Sequence, residues 1–162
     1  MPRIFISIGS NIDPEANIPD CIRILEEQFG ELTLSPVYES KPVGFEGENF
    51  YNMVVGFDTE LAPEDLVDCL HAIERSFDRA RDGGSFSPRT MDLDLLLYDD
   101  LILKGDKVSV PRDEIIKYAF VLRPLADIVG SYTHPVIGRR YSDLWRDFNK
   151  DSETLRRVNI FD

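Results

Sequence analysis

The chain has 162 residues, 43% of them hydrophobic and 10% aromatic, and a net charge of −12. That is apolar material for the core of one domain, expected to span 1–162, and the composition excludes a disordered chain. The acidic balance excludes sequence-independent nucleic-acid binding, which rests on Lys and Arg neutralising phosphates, and no apolar run approaches the ~20 residues of a membrane span.

The opening MPRIFISIGSN enters a strand-like run with no basic segment ahead of a long apolar one, so no signal peptide is expected. Arg3 to Ile8 reads as a buried strand, ended by Gly9-Ser10-Asn11. Ile18, Ile22, Leu25 and Phe29 recur at helical spacing, predicting a helix over 18–29 that Gly30 stops. Leu32 to Tyr38 alternates as a strand, with Pro36 marking an edge or a bulge. Tyr51 to Phe57 is a further strand. Pro63 suits the first turn of a second helix, with Glu64 and Asp65 favourable to its dipole and Leu66, Leu70, Ile73 and Phe77 on one face. Met91 to Tyr98 is the fourth main strand. Ile102 to Val110 reads as a small hairpin turning at Gly105-Asp106. The remainder reads as short helices, broken by Pro124 and Pro135. Cys21 and Cys69 lie in the helices without metal-ligand spacing; both are expected to be reduced, half-buried thiols of a cytoplasmic protein.

The order β-α-β-β-α-β predicts an α+β, ferredoxin-like fold: one antiparallel sheet with helices on one face, followed by short C-terminal helices. Two Gly-containing loops, 43–49 and 82–88, join confident elements as floppy connections or as lids over a site. Arg75, Arg79, Arg81 and Arg89 cluster in this acidic chain. They form either a helix face paired with nearby acids or a site for a small polyanion.

The segment richest in chemistry is Ser87-Pro-Arg-Thr-Met-Asp-Leu-Asp94. In a strand, residues two apart share a side, so Asp92 and Asp94 project together while Met91, Leu93 and Leu95 face the other way. Two carboxylates on one face repel unless a cation sits between them. Hard oxygen ligands suit Mg²⁺, which uses one or two carboxylates plus substrate phosphates. Neither His71 nor His134 has a partner at zinc-ligand spacing. Arg89 stands three residues before Asp92, and Arg79 and Arg81 close the preceding helix. Phosphoryl transfer needs this combination of metals and guanidinium groups. There is no GxxxxGK[ST] run, so a P-loop is excluded.

From Ile4 to Ile128 the chain resembles the 6-hydroxymethyl-7,8-dihydropterin pyrophosphokinase family. ISIGSN at 6–11, SPVYESKPVG at 35–44, FYN at 50–52, IER at 73–75, PRTMDLD at 88–94, VP at 110–111 and FVLRPL from Phe120 carry the likeness, in that order. The resemblance implies a ferredoxin-like fold and transfer of pyrophosphate from ATP to the hydroxymethyl oxygen of the pterin, with release of AMP. It implies two Mg²⁺ ions held by Asp92 and Asp94, with Arg79 and Arg89 acting on the phosphates as catalytic groups. The pterin would lie between Phe50 and Phe120, its edge read by Asn52 and by backbone groups of Ser40 and Val43. His71, Glu74, Arg81, Leu95, Lys107, Val108, Ser109 and Arg112 would lie on the ATP side. The implied partners are those two small molecules alone, with no nucleic acid and no membrane, and the implied state is a monomer.

The chain departs from the family pattern in places. Arg112 replaces a histidine and can still meet a phosphate; Asp113 adds negative charge beside an anionic ligand. Tyr118 replaces an arginine that would help to bind ATP. Phe86 stands where a tryptophan is common, and Ser87 replaces a glycine. Asp113 and Tyr118 motivate a second reading, a catalytically weak pterin- and nucleotide-binding homologue. A Mg²⁺-dependent phosphodiesterase built on Asp92 and Asp94 is a third, but it lacks an obvious general base for water.

Overall fold

A computed structural model describes residues 1–41, 47–78, 90–148 and 154–161. The first strand, β1 (Arg3–Ser10), leads to helix α1 (Pro14–Phe29). This helix starts four residues earlier than the apolar spacing predicts. Pro14 fits the first turn, where its missing N–H costs nothing, and Asp13 accepts from the Ala16 and Asn17 N–H groups through its carbonyl. Gly30 ends α1 at φ 82°, a conformation that side chains disfavour, and its N–H donates to the Glu26 carbonyl at 2.9 Å.

The single strand expected over 32–38 is two: β2 (Thr33–Leu34) and β3 (Val37–Ser40). Both pair with β4 (Phe50–Asp58). Pro36 has no N–H for the ladder, and Ser35 turns inward, its Oγ accepting from the Val54 N–H at 2.8 Å. Helix α2 (Pro63–Asp78) and strand β5 (Asp92–Tyr98) follow as expected. The expected hairpin is reduced to two-residue strands, β6 (Leu103–Lys104) and β7 (Ser109–Val110).

Beyond it lie α3 (Glu114–Lys117), α4 (Ala119–Val129), α5 (Tyr141–Arg146) and β8 (Arg156–Val158). Pro124 lies inside α4 rather than breaking it. Its ring removes one hydrogen bond, but Val121, Leu122, Leu125 and Val129 are buried, each contributing about 1.5–3 kcal/mol of burial. β8 was not predicted: it pairs with β3 through Val37–Val158, Tyr38–Arg157 and Glu39–Arg156.

The main sheet runs β5-β1-β4-β3-β8, each neighbouring pair antiparallel, with β2 beside β4. Ile4, Ile6 and Ile8 of β1 join Met53, Val55 and Phe57 of β4 under α1 and α2. Helices on one face were expected, but the opposite face is covered too. Phe5, Val54, Leu96 and Leu97 form a second core with residues of α3, α4 and α5. Cys21 is fully buried rather than half-buried, because it lies on the inner face of α1. Burial, with the charge of Glu74, pushes its thiol up to about 12. Both cysteines are free thiols. Among the described residues no helix is long and apolar enough to cross a membrane.

Candidate active site

The site occupies the end of the second sheet face where its apolar side chains stop. Along β1 that face runs Phe5, Ser7, Gly9; along β4 it runs Val54, Asn52; along β5 it runs Leu96, Asp94, Asp92. The registers align these in rows. Gly9 pairs with Asn52 on one side and Asp92 on the other, and Ser7 pairs with Val54 and Asp94. Two strand spacings therefore separate the Asn52 amide from the Asp92 carboxylate, about 10 Å across Gly9. A Cβ at Gly9 would meet Asn52 Oδ1 at 3.0 Å, so glycine keeps the floor of this row open.

The alternation expected of β5 holds: Leu93 and Leu95 are buried under α2, while Asp92 and Asp94 are partly exposed on the other side. Glu74 reaches around this edge strand from α2, and its Oε2 accepts the Leu93 N–H at 2.7 Å. Burial pushes Glu74 up to about 8 against that N–H bond, and the charges of Asp92 and Asp94 and a hydrogen bond with Asp92 push the same way. Three carboxylates are crowded together, an arrangement that a cation relieves. Asp92 and Asp94 fit Mg²⁺ as that ion is held with phosphates, by one or two carboxylates. No group of three or more His, Cys, Asp or Glu among the described residues makes an all-protein metal cage.

Three adjoining cavities meet at these aspartates. The first, about 190 Å³, is lined by Gly9, Ser40, Lys41, Phe50, Asn52, Asp92 and Phe120. It brings together four of the five residues expected at the pterin. Asn52 Nδ2 donates to Ser40 Oγ at 3.0 Å, and both residues are buried, which fixes the amide in the wall. The second, about 230 Å³, contains Asp92, Asp94, Arg112, Tyr118 and Phe120. The third, about 60 Å³, is lined by His71, Leu95, Lys107, Val108, Ser109 and Arg112 together with Asp94. It gathers six of the eight residues expected on the ATP side. Leu95 and Val108 belong also to the core, and Lys107 Nζ is 2.7 Å from Asp68 Oδ1.

The nucleotide side differs from expectation at Asp113. Its Oδ1 accepts from Lys104 Nζ at 3.3 Å, and the residue lines none of the three cavities, so its charge is directed away. Arg112 has its N–H on the Leu96 carbonyl at 3.0 Å. Its guanidinium lies 3.5 Å from Asp94 Oδ1 and also pairs with Glu114. Tyr118 stacks on Phe120, ring centroids 5.0 Å apart. Val43, Arg79, Arg81, Phe86, Ser87 and Arg89 lie outside the described residues.

Sequence reasoning gave no role to Gly9, Lys41 or Glu114. Gly9 stood within ISIGSN, read as part of the end of the first strand; its place between Asn52 and Asp92 comes from the strand registers. Lys41 stood within the SPVYESKPVG run and Glu114 in none of the quoted runs; tertiary packing brings Lys41 to the first cavity and Glu114 to the second.

The family model for 7,8-dihydro-6-hydroxymethylpterin-pyrophosphokinase matches residues 5–130. The chain belongs to this family. A 2-amino-4-hydroxy-6-hydroxymethyldihydropteridine pyrophosphokinase of Pseudomonas aeruginosa is 38% identical over 130 residues, 78% of this chain and 80% of that protein. The Aquifex aeolicus protein of the same name is 33% identical over 138 residues, covering 84% and 86% of the two chains. Among solved structures, a Plasmodium falciparum HPPK-DHPS triple mutant superposes with a TM-score of 0.72 at 13% identity. That match covers 90% of this chain and 43% of the other, and it supports the fold of this pyrophosphokinase family member alone. The family likeness falls on the same strands whose registers place Asn52, Asp92 and Asp94 in adjoining rows.

Proposed function

We propose that this chain transfers pyrophosphate from ATP to the hydroxymethyl oxygen of 6-hydroxymethyl-7,8-dihydropterin, releasing AMP, in folate synthesis. The observation that carries the reading is the position of Asp92 and Asp94. They stand where a cavity lined by Ser40, Phe50, Asn52 and Phe120 meets one lined by His71, Lys107, Ser109 and Arg112. An acceptor on the first side and a nucleotide on the second would present their reacting oxygen and phosphorus at the same two carboxylates.

The flat pterin rests against Phe50 and Phe120, and the Asn52 amide offers a donor and an acceptor to its edge. Asp92 and Asp94 would hold two Mg²⁺ ions, which neutralise the ATP phosphates and lower the charge barrier to attack. Arg112 would exchange Asp94 for a phosphate oxygen, a guanidinium being suited to either. Arg79 and Arg89 would stabilise charge as the bond to the AMP oxygen breaks, and Arg81 would bind phosphate nearby. Glu74, on the Leu93 N–H, holds the strand that presents both aspartates. The hydroxymethyl oxygen bonds to the β-phosphorus, AMP leaves, and the hydroxyl proton passes to solvent.

The reading extends to a single domain over 1–162, and the sheet order is read as ferredoxin-like with C-terminal helices added. It extends also to a cytoplasmic monomer whose partners are the two small molecules, with no nucleic acid or membrane. The weak-binding alternative loses one ground, because Asp113 spends its charge on Lys104. Titration calorimetry tests it: tight binding of the pterin with no binding of Mg-ATP would favour the alternative. Formation of AMP and a pyrophosphorylated pterin, dependent on both substrates, tests the main reading.

A further inference from the structure

One carboxylate in the second cavity has no part in the proposed reaction. Glu114 lines it beside Asp92 and Asp94. The cavity leads to the position of a polyphosphate, where a further negative charge opposes binding.

The chain is pinned at this point. The Arg112 N–H donates to the Leu96 carbonyl at 3.0 Å, and the Ile115 N–H donates to the Arg112 carbonyl at 3.2 Å. Ile115 is fully buried in the second core. The backbone on both sides of Glu114 is therefore fixed, and freedom is left to the side chains of Arg112 and Glu114.

Those side chains meet. Arg112 Nε pairs with Glu114 Oε2; both atoms are shielded from solvent, and neither has a hydrogen-bond partner elsewhere among the described residues. A shielded charge is costly to leave alone, so each holds the other. The contact further out is looser. Arg112 Nη2 lies 3.5 Å from Asp94 Oδ1, and the two side chains keep 36% and 31% of their surface exposed, so a ligand can reach this junction. Arg112 and Asp94 are also the two described residues that line both the second and the third cavity. The guanidinium is gripped at its inner nitrogen and presented at an outer one where the two cavities join.

When Asp94 serves a metal ion it cannot equally serve Arg112, because the two cations compete for it. Glu114 is then the partner that keeps Arg112 in the site. An unbraced arginine has about 2 kcal/mol of rotamer entropy to lose, and fixing it beforehand lowers the cost of meeting a ligand. A guanidinium held at Nε still has Nη groups for phosphate oxygens. We propose that Glu114 is a positioning residue, which braces Arg112 so that its guanidinium meets a nucleotide phosphate instead of turning to solvent. The role rests on the pyrophosphokinase reading and adds to it a task for Glu114. A brace and a mere neighbouring charge predict opposite signs. Removing a negative charge beside a polyphosphate tightens binding by itself, whereas removing the brace weakens it.

The probe is α,β-methylene-ATP with Mg²⁺, titrated calorimetrically into the full chain without pterin. Glu114→Gln should weaken binding about fivefold, and Glu114→Ala at least as much. In an Arg112→Gln background, itself weakened, Glu114→Gln should cause no further loss. The free chain gives a second readout by NMR. The Arg112 Nε–H, assigned by its loss in Arg112→Gln, should exchange slowly with solvent in the wild type and at least about tenfold faster in Glu114→Ala. Three results would each overturn the brace: binding by Glu114→Gln as tight as the wild type or tighter, the same fivefold loss in the Arg112→Gln background, or an unprotected Nε–H in the wild type. Failure of the wild type to bind the Mg²⁺ analogue would overturn the pyrophosphokinase reading and the brace with it; binding that ignores Glu114 would overturn the brace alone.

Discussion

Glu74 and Leu93 tie α2 to the edge of the sheet: the Glu74 carboxylate accepts the Leu93 N–H at 2.7 Å, between the two aspartates that Leu93 separates. An edge-strand N–H has no ladder partner on its outer side, and this side chain supplies one. Glu74→Ala should lower stability by about 1–3 kcal/mol by leaving that donor without its acceptor. Glu74→Gln keeps an acceptor there and should stay within about 1 kcal/mol of the wild type. Urea unfolding of both variants in EDTA checks this; equal stability of the two would deny the bond its structural role.

Tyr38 joins β3 to the helix that carries Phe120. Its hydroxyl donates to Asp127 Oδ2 at 2.5 Å and accepts from Arg123 Nε at 3.1 Å, in a half-buried network 85 or more residues apart in sequence. Tyr38→Phe should cost about 1–3 kcal/mol. It should also weaken the pterin more than ATP, because α4 would then hold Phe120 less firmly. Chemical denaturation together with separate titrations of the two substrates reads both effects, and equal weakening of both ligands would count against this link.

Gly9 tests the open floor between Asn52 and Asp92. Gly9→Ala places a methyl 3.0 Å from Asn52 Oδ1, and the amide has to shift by a few tenths of an ångström. The fold should survive, while pterin affinity falls by about tenfold through the displaced amide. Unchanged pterin affinity in a folded variant would remove Asn52 from the recognition of that ring.

His134 gives a pH signature. Its Nδ1 accepts the N–H groups of Val136 and Ile137, each at 3.2 Å. Burial first, then the charge of Lys104, hold the ring below the usual 6.5. The unfolded chain therefore binds this proton more readily than the folded one. The contribution to stability is full above pH 6.5 and is lost as pH falls through the lowered folded value. His134→Asn keeps an acceptor but cannot titrate. Urea unfolding from pH 7.5 to pH 5.5 should show a decline in the wild type that the variant lacks; parallel curves would assign the decline to other groups.

The legible parts of the fold and site were local. Alternation in 91–95 put Asp92 and Asp94 on one face before any fold was known, and helical spacing placed α2 almost to the residue. Ser40, Phe50, Asn52 and Phe120 came from the family likeness, since an aromatic or an amide alone looks like core. The two-sided sheet was illegible because α4 is apolar on its buried side and carries Pro124, which reads as a break. β8 is three residues long, two of them exposed arginines, so period two had nothing to act on. The pairing of Asp113 with Lys104 and of Arg112 with Asp94 depends on how the small β6–β7 hairpin packs, which no local pattern encodes.

The central claim is that Asp92 and Asp94 join a pterin cavity to a nucleotide cavity for pyrophosphate transfer. The most direct measurement is AMP release from Mg-ATP, with and without 6-hydroxymethyl-7,8-dihydropterin, by the wild type, Asp92→Ala and Asp94→Ala. The wild type should form AMP only with the pterin present, and each variant should lose at least about a thousandfold in turnover while keeping its fold and its pterin binding. AMP formation without the pterin, or near-normal turnover in either variant, would contradict the account.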